Sequence, residues 1–157
     1  MKTILIVDDE PNYLVVLSEL LRDEGYEVFS AEDGQQALEQ VKTTDLDLVI
    51  TDMQMPKMDG MVLLQNIKSF NKDLPVVIIT AYAEVEKAVS AMQAGAFSYL
   101  AKPFSNDALL ATITTALSHY ALIRENLRLR QEMQERSGFR GMVGKNPRMQ
   151  QVYELIE

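Results

Sequence analysis

Residues 4–10 read ILIVDDE, four unbroken apolar side chains followed by three acids. Three later segments repeat that design. LDLVITDM (46–53) runs into Asp52, PVVIITA (75–81) into Thr80, and FSYLAKPF (97–104) into Lys102. Runs that are apolar throughout suit central strands of a sheet covered on both faces. In a parallel sheet with helical crossovers, C-terminal strand ends converge on one crevice, where open α/β folds bind their ligands. Asp8, Asp9 and Asp52 facing Lys102 and Thr80 there suit a divalent cation and a transferable phosphoryl group.

Working outward, apolar runs alternate with helical patterns from residue 3 to about 118. The expected strands are Thr3–Val7, Glu27–Ala31, Leu46–Thr51, Val76–Thr80 and Phe97–Ala101. EVFSA (27–31) is mixed and suits an edge. Between the strands, apolar residues recur at helical spacing: Leu14, Leu17, Leu21; Ala37, Leu38, Val41; Leu63, Ile67, Phe70; Val85, Val89, Met92. Asp33 with Gln36 makes a capping-box signal, and Gly25 and Gly95 each follow a helical pattern as stop residues do. Asp59 lies several residues past its strand and reads as a turn or helix-start acid. Strict alternation predicts an α/β fold with a parallel sheet and right-handed crossovers.

A fifth helix is expected from about Ser105 to about residue 136, ~48 Å long at 1.5 Å per residue. Leu109, Ile113, Ala116, Tyr120, Ile123 and Leu127 recur at coiled-coil-like spacing, which predicts a linker helix that pairs with a second copy. SGFRG (137–141) is expected to break the helix, and NPRMQQVYELIE (146–157) to begin another. The pattern is still running at Glu157, so a fragment of a longer protein is expected.

Composition narrows the function. Apolar residues are 47% of the 157, enough for a buried core. There is no cysteine, which removes disulfides and thiolate metal sites and fits a reducing compartment. A net charge of −8 argues against this piece gripping nucleic acid. MKTILIV is too short for a signal-peptide core, and no apolar run approaches the ~20 residues of a membrane span. A cytoplasmic location without membrane contact is the expectation.

The acidic residues admit two readings when taken singly. Asp8 and Asp9 precede Pro11 and could merely favour a helix dipole. Clustered with Asp52, they would raise one another's pKa, and Mg2+ resolves that repulsion. Asp52, between a buried strand and a Met-Pro turn, can act as a nucleophile and form an acyl phosphate. Lys102 can pair a phosphoryl oxygen, with backbone N–H groups fixing others. Thr80 could simply satisfy its strand end, and Tyr99 could be plain packing. His119, the single histidine, has no acid–base partner suggested nearby and reads as a surface or seam residue.

The set Asp8-Asp9, Asp52, Thr80-Ala81, Tyr99 and Lys102-Pro103, in this order and spacing, resembles the receiver domain of bacterial two-component response regulators. That resemblance covers residues 1 to about 120 and implies a flavodoxin-like, five-stranded parallel sheet of order 2-1-3-4-5. It implies that Asp52 accepts phosphate from a sensor histidine kinase. Asp9, Asp52 and the Gln54 carbonyl would hold Mg2+, with Asp8 contributing through water. Met53, Thr80, Ala81, Tyr99 and Lys102 would form the phosphate-binding and switch set, and Pro103 is a candidate for a cis bond. GFRGMVGKNPRMQQVYELIE (138–157) is similar to the opening of the AAA+ domain of NtrC-type sigma-54-dependent activators. GMVGKN (141–146) lacks the spacing and hydroxyl of a P-loop, so no ATP site is expected here. The implied division is a receiver (1–120), a helical linker (121–137) and the truncated start of that domain (138–157). A homodimer is expected, with DNA and sigma-54 RNA polymerase as partners of the full-length parent. Catalysis would extend only to its own aspartyl phosphorylation and dephosphorylation.

Competing classes leave different signatures. A Mg2+-dependent phosphohydrolase using an aspartyl phosphate would carry Asp-x-Asp after the first strand, which Asp8-Asp9-Glu10 does not. A flavodoxin-like nucleotide binder needs a Ser-, Thr- or Gly-rich first loop, whereas DDEPN (8–12) would repel phosphate. A phosphorylation-independent dimerisation module would share the fold without needing Asp52.

Overall fold

The computed structural model describes residues 1–144, with side chains to residue 134. By its contacts the chain divides after Tyr120, into a compact unit Met1–Tyr120 and the remainder from Ala121. Strands and helices alternate as β1 (Thr3–Val7), α1 (Pro11–Asp23), β2 (Glu27–Ala31), α2 (Gly34–Thr43) and β3 (Leu48–Asp52). They continue as α3 (Gly60–Phe70), β4 (Val76–Thr80), α4 (Val85–Gln93), β5 (Ser98–Ala101) and α5 (Asn106–Gly144). All the strand pairs are parallel and the order is β2-β1-β3-β4-β5, the flavodoxin-like arrangement.

Strand alternation sorts the core into two layers. Leu5, Val7, Val49, Val76 and Ile78 face Ala37, Val41, Leu63, Leu64, Ile67 and Ala91, from α2, α3 and α4. Ile4, Ile6, Leu48, Ile50, Val77 and Ile79 face Leu14, Leu17 and Leu21 of α1 and Leu109, Ile113 and Ala116 of α5. Every residue of β1, β3 and β4 is therefore buried, while β2 and β5 are the partly exposed edges.

The helix starts follow their side chains. Pro11 opens α1. Asp33 accepts the Gln36 N–H at 2.8 Å, and the Gln36 amide oxygen reaches back to the Glu32 N–H at 3.2 Å, one residue upstream of a reciprocal capping box. Asp59 accepts the Val62 N–H at 2.9 Å, so it caps α3. Ser105 does the same for α5 through the Ala108 N–H. Gly25 (φ 95°) and Gly95 (φ 107°) take the left-handed turn after α1 and α4, as expected of stop residues.

Four expectations are corrected. Strand β3 spans Leu48–Asp52, because Leu46 belongs to the loop core and Asp52 itself joins the ladder opposite Ile79. The α4 stripe Val85, Val89, Met92 faces outward, at 79%, 49% and 48% exposure, since Ala91 is the α4 residue that meets the sheet. In α5, Leu109, Ile113, Ala116 and Tyr120 are consumed by their own core, and Asn71 donates to the Tyr120 hydroxyl at 3.1 Å. They cannot also form a seam with another copy; Leu127 is exposed. Finally, α5 passes through Ser137–Gly141 to Gly144. An interior glycine costs a helix only about 1 kcal/mol, which cooperative propagation absorbs. The helix expected within residues 146–157 lies outside the described residues.

Candidate functional site

The C-terminal ends of β1, β3, β4 and β5 bring Asp8, Asp52, Thr80 and Lys102 to one edge of the sheet. Asp8 is fully buried and the first residue past β1. Its backbone N–H continues the ladder to the Ala31 carbonyl at 3.2 Å, while its carboxylate accepts the Glu10 N–H at 2.9 Å. The second carboxylate oxygen pairs with Lys102 Nζ at 3.2 Å. Lys102 is anchored twice, because its own N–H donates to the Thr80 carbonyl at 2.7 Å. It thus ties the end of β4 to the acid after β1. The Lys102–Pro103 peptide is cis, as the resemblance implied.

Asp9 is exposed, Asp8 buried and Asp52 mostly buried, yet one carboxylate oxygen from each lies within 4.8 Å of the others. Hard oxygen donors at that spacing fit a small divalent cation, and a single lysine neutralises only part of their charge. Burial pushes the Asp52 carboxyl up to about 6. Lys102 pulls it down, Asp8 pushes it further up, and the N–H groups of Gln54 and Met53 pull it down. At neutral pH Asp52 is still predominantly the carboxylate, the form that can attack an electrophile.

Thr80 is fully buried, and its hydroxyl oxygen accepts the Tyr82 N–H at 3.1 Å across exposed Ala81. Tyr99 packs on the α2–α4 side, with its hydroxyl buried and without a partner among the described residues. The polar end of this ring thus lies inside the protein. His119 is exposed and packs on Phe97, with ring centroids 5.8 Å apart.

Two contributors escaped the sequence reading. Tyr13, on the first turn of α1, places its ring 4.0 Å from Lys102 Nζ. Burial, with Asp8 and Asp52 adding to it, pushes its hydroxyl up to about 12, so it stays neutral. Counting from Pro11 at the helix start would have pointed that ring back at the strand ends. Gly60 is the other: a Cβ there would sit 2.4 Å from the Asp52 carbonyl oxygen and 2.8 Å from Met53 Cα. The Gly60 N–H bonds the Met53 carbonyl at 2.7 Å, closing the β3–α3 loop onto the strand. The Asp-Gly pair at 59–60 was its signal. Within the β3–α3 loop, Lys57 adopts φ 70° and the Met58 N–H bonds the Pro56 carbonyl at 2.8 Å, a three-residue turn.

The profile described as the response regulator receiver domain matches residues 4–114. The chain belongs to the response regulator receiver domain family. The transcriptional regulatory protein ZraR of Escherichia coli K12 is 44% identical over 153 residues, covering 98% of this chain and 34% of that protein. The DNA-binding transcriptional regulator NtrC of Klebsiella pneumoniae is 37% identical over 157 residues, covering 96% and 31% respectively. This receiver chain thus spans about a third of the length of the curated relatives it matches. Among solved structures, the beryllofluoride-activated NtrC4 receiver domain dimer superposes with a TM-score of 0.73 at 36% identity, covering 76% of this chain and 99% of that one. No described helix of the receiver chain is long and apolar enough to cross a membrane.

Proposed function

We propose that this chain is a phosphorylation-dependent switch in which Asp52 accepts a phosphoryl group from a sensor histidine kinase. The observation that carries this reading is the Asp8, Asp9 and Asp52 carboxylate cluster with Lys102 at its side. An Asp52 carboxylate oxygen forms a bond to phosphorus while the bond to the donor nitrogen breaks, its electron pair leaving with the imidazole. Asp8, Asp9, Asp52 and the Gln54 carbonyl are the groups that would hold Mg2+, which when bound neutralises charge on the phosphoryl oxygens. Lys102 pairs another oxygen, the Ala81 N–H orients the rest beside Met53, whose own N–H bonds the Ile79 carbonyl at 3.0 Å, and Thr80 closes over the phosphoryl group. The only chemistry this assigns to the chain is gain and loss of its own phosphoryl group.

The output follows from the exposed apolar face of α4. A phosphoryl group shifts the conformation only through contacts that differ between two states. Drawing Thr80 toward Asp52 would move the β4–α4 loop, and with it Val85, Val89 and Met92, changing how two copies associate. The division into a receiver (1–120), linker (121–137) and start of an AAA+ domain (138–157) makes this the regulatory piece of a cytoplasmic sigma-54-dependent activator. DNA and sigma-54 RNA polymerase would then be partners of the parent. Its similarity to ZraR and NtrC over almost its whole length supports that placement.

The test is direct. With Mg2+ and a small acyl phosphate, mass spectrometry should find one added phosphoryl group, mapped to Asp52. Asp52→Asn keeps the shape and removes the nucleophile. Equal labelling of that variant would overturn the assignment.

A further inference from the structure

We propose that Tyr13 is a positioning residue for Lys102, its ring face holding the ammonium in the crevice for an incoming phosphoryl group. The inference rests on Asp52 being the acceptor.

Lys102 carries a flexible four-carbon stem, and its side chain retains 19% exposure, so nothing covalent keeps its charge in the site. Two contacts do. Asp8 holds the ammonium at 3.2 Å, and the Tyr13 ring covers it with the centroid 4.0 Å away. Beyond the ring and the Lys102 stem lies an apolar groove of about 470 Å3, lined also by Val16, Leu20, Pro103 and Phe104. Ring and stem line that groove together, so the ring face is the contact that holds the ammonium alongside Asp8.

The chemistry of the wall matters as much as its position. A ring face attracts a cation through its quadrupole but offers no lone pair in hydrogen-bond geometry. A carboxylate at position 13 would bind the ammonium and compete with phosphoryl oxygens. A leucine would fill space without attracting charge. The aromatic face keeps Lys102 in place and leaves its other N–H donors free for the substrate. The hydroxyl is not needed for this, so phenylalanine should serve.

The rate of Asp52 labelling by a small acyl phosphate with Mg2+ tests this in Tyr13→Phe and Tyr13→Leu, each alone and combined with Lys102→Ala. Tyr13→Phe should stay within about twofold of the parent, because the attracting face is retained. Tyr13→Leu should slow labelling about fivefold, equivalent to about 1 kcal/mol. In the Lys102→Ala background the same leucine should change nothing further, since the group it positions is gone. An unchanged rate in Tyr13→Leu, or an equal loss without Lys102, overturns the proposal. The clamp also has a readout independent of phosphorylation. The Lys102 ε-methylene protons should be shifted upfield by the ring current in the parent and in Tyr13→Phe, and not in Tyr13→Leu. Absence of that shift in the parent refutes the clamp. A parent that shows the shift but takes no label at Asp52 refutes the function reading and leaves the clamp standing.

Discussion

Replacing Gly60 with alanine should damage both the fold and the site. The added Cβ would lie 2.4 Å from the Asp52 carbonyl oxygen and 2.8 Å from Met53 Cα. Side-chain carbons essentially never approach other atoms under 3.0 Å, so something must move by at least 0.6 Å (3.0 − 2.4). Both obstructing atoms are backbone, and Asp52 belongs to β3, the middle strand of the sheet, buried along its whole length. A flexible tip cannot yield here as it could at Gly34, where the obstruction is the Met58 side chain. Overpacking of this sort costs about 2–3 kcal/mol. Gly60 is the first residue of α3, so the gain in helix propensity offsets little of it. With a urea m-value of about 2 kcal/mol/M, the midpoint should fall by about 1–1.5 M. Gly25→Ala is the control: nothing lies within 4 Å, and its cost of about 1 kcal/mol comes from φ alone. Because the shift reaches the Asp52 main chain, labelling of Asp52 should slow in Gly60→Ala and not in Gly25→Ala. A Gly60→Ala protein with the parent's midpoint and labelling rate would refute the close-approach reasoning.

The metal-free protein should carry a pH signature of Asp52. Its folded pKa is raised from 3.8 to about 6, so the stabilising protonated form is fully present below 3.8 and lost as pH rises through 6. Asp52→Asn should therefore gain on the parent between pH 4 and 6 and level off about 3 kcal/mol more stable above that, in urea melts without Mg2+. A gain that is flat with pH would count against the burial of this carboxylate. Asp59→Ala should lose about 1 kcal/mol with its cap to the Val62 N–H, while Asp52 is still labelled. Abolished labelling would place Asp59 among the reacting groups. On α5, Ile113→Asp should unfold the compact unit, since it is fully buried beside the sheet, and Leu127→Asp should leave the melting curve in place. Sedimentation of the latter at high concentration reads whether Leu127 serves association; unchanged self-association would dismiss it.

The sheet was legible because β1, β3 and β4 each carry an unbroken apolar run, Ile4–Val7, Leu48–Ile50 and Val76–Ile79, a pattern with few other uses in a chain punctuated by helical stretches. The crevice was legible for a related reason: Asp8, Asp52 and Thr80 stand where those runs stop, and Lys102 stands where β5 does. Period alone misled on α5. Spacings of three and four serve equally for a helix lying on its own sheet and for one meeting a partner, and Ile113 and Tyr120 proved to be the former. The α4 stripe failed differently, since Val85, Val89 and Met92 have the right spacing but short Ala91 makes the contact. Tyr13 and Gly60 act across gaps in sequence, through a ring over a lysine and an atom that glycine lacks. Neither effect has a periodicity to read.

Lys102 and Asp8 are 94 residues apart in the chain. At about 5–20 residues per second, a ribosome delivers the lysine roughly 5–20 s after the acid it neutralises. Until then the first strands can pair, but the carboxylate at the end of β1 has no ammonium with which to complete its burial. The crevice at the strand ends is therefore completed late in synthesis, with α5 the one element of the compact unit still to follow, and a nascent chain stalled before β5 lacks the ammonium that Asp8 pairs with. The charge balance of the crevice is thus set by the C-terminal third of the compact unit, not by the strand that carries the acid.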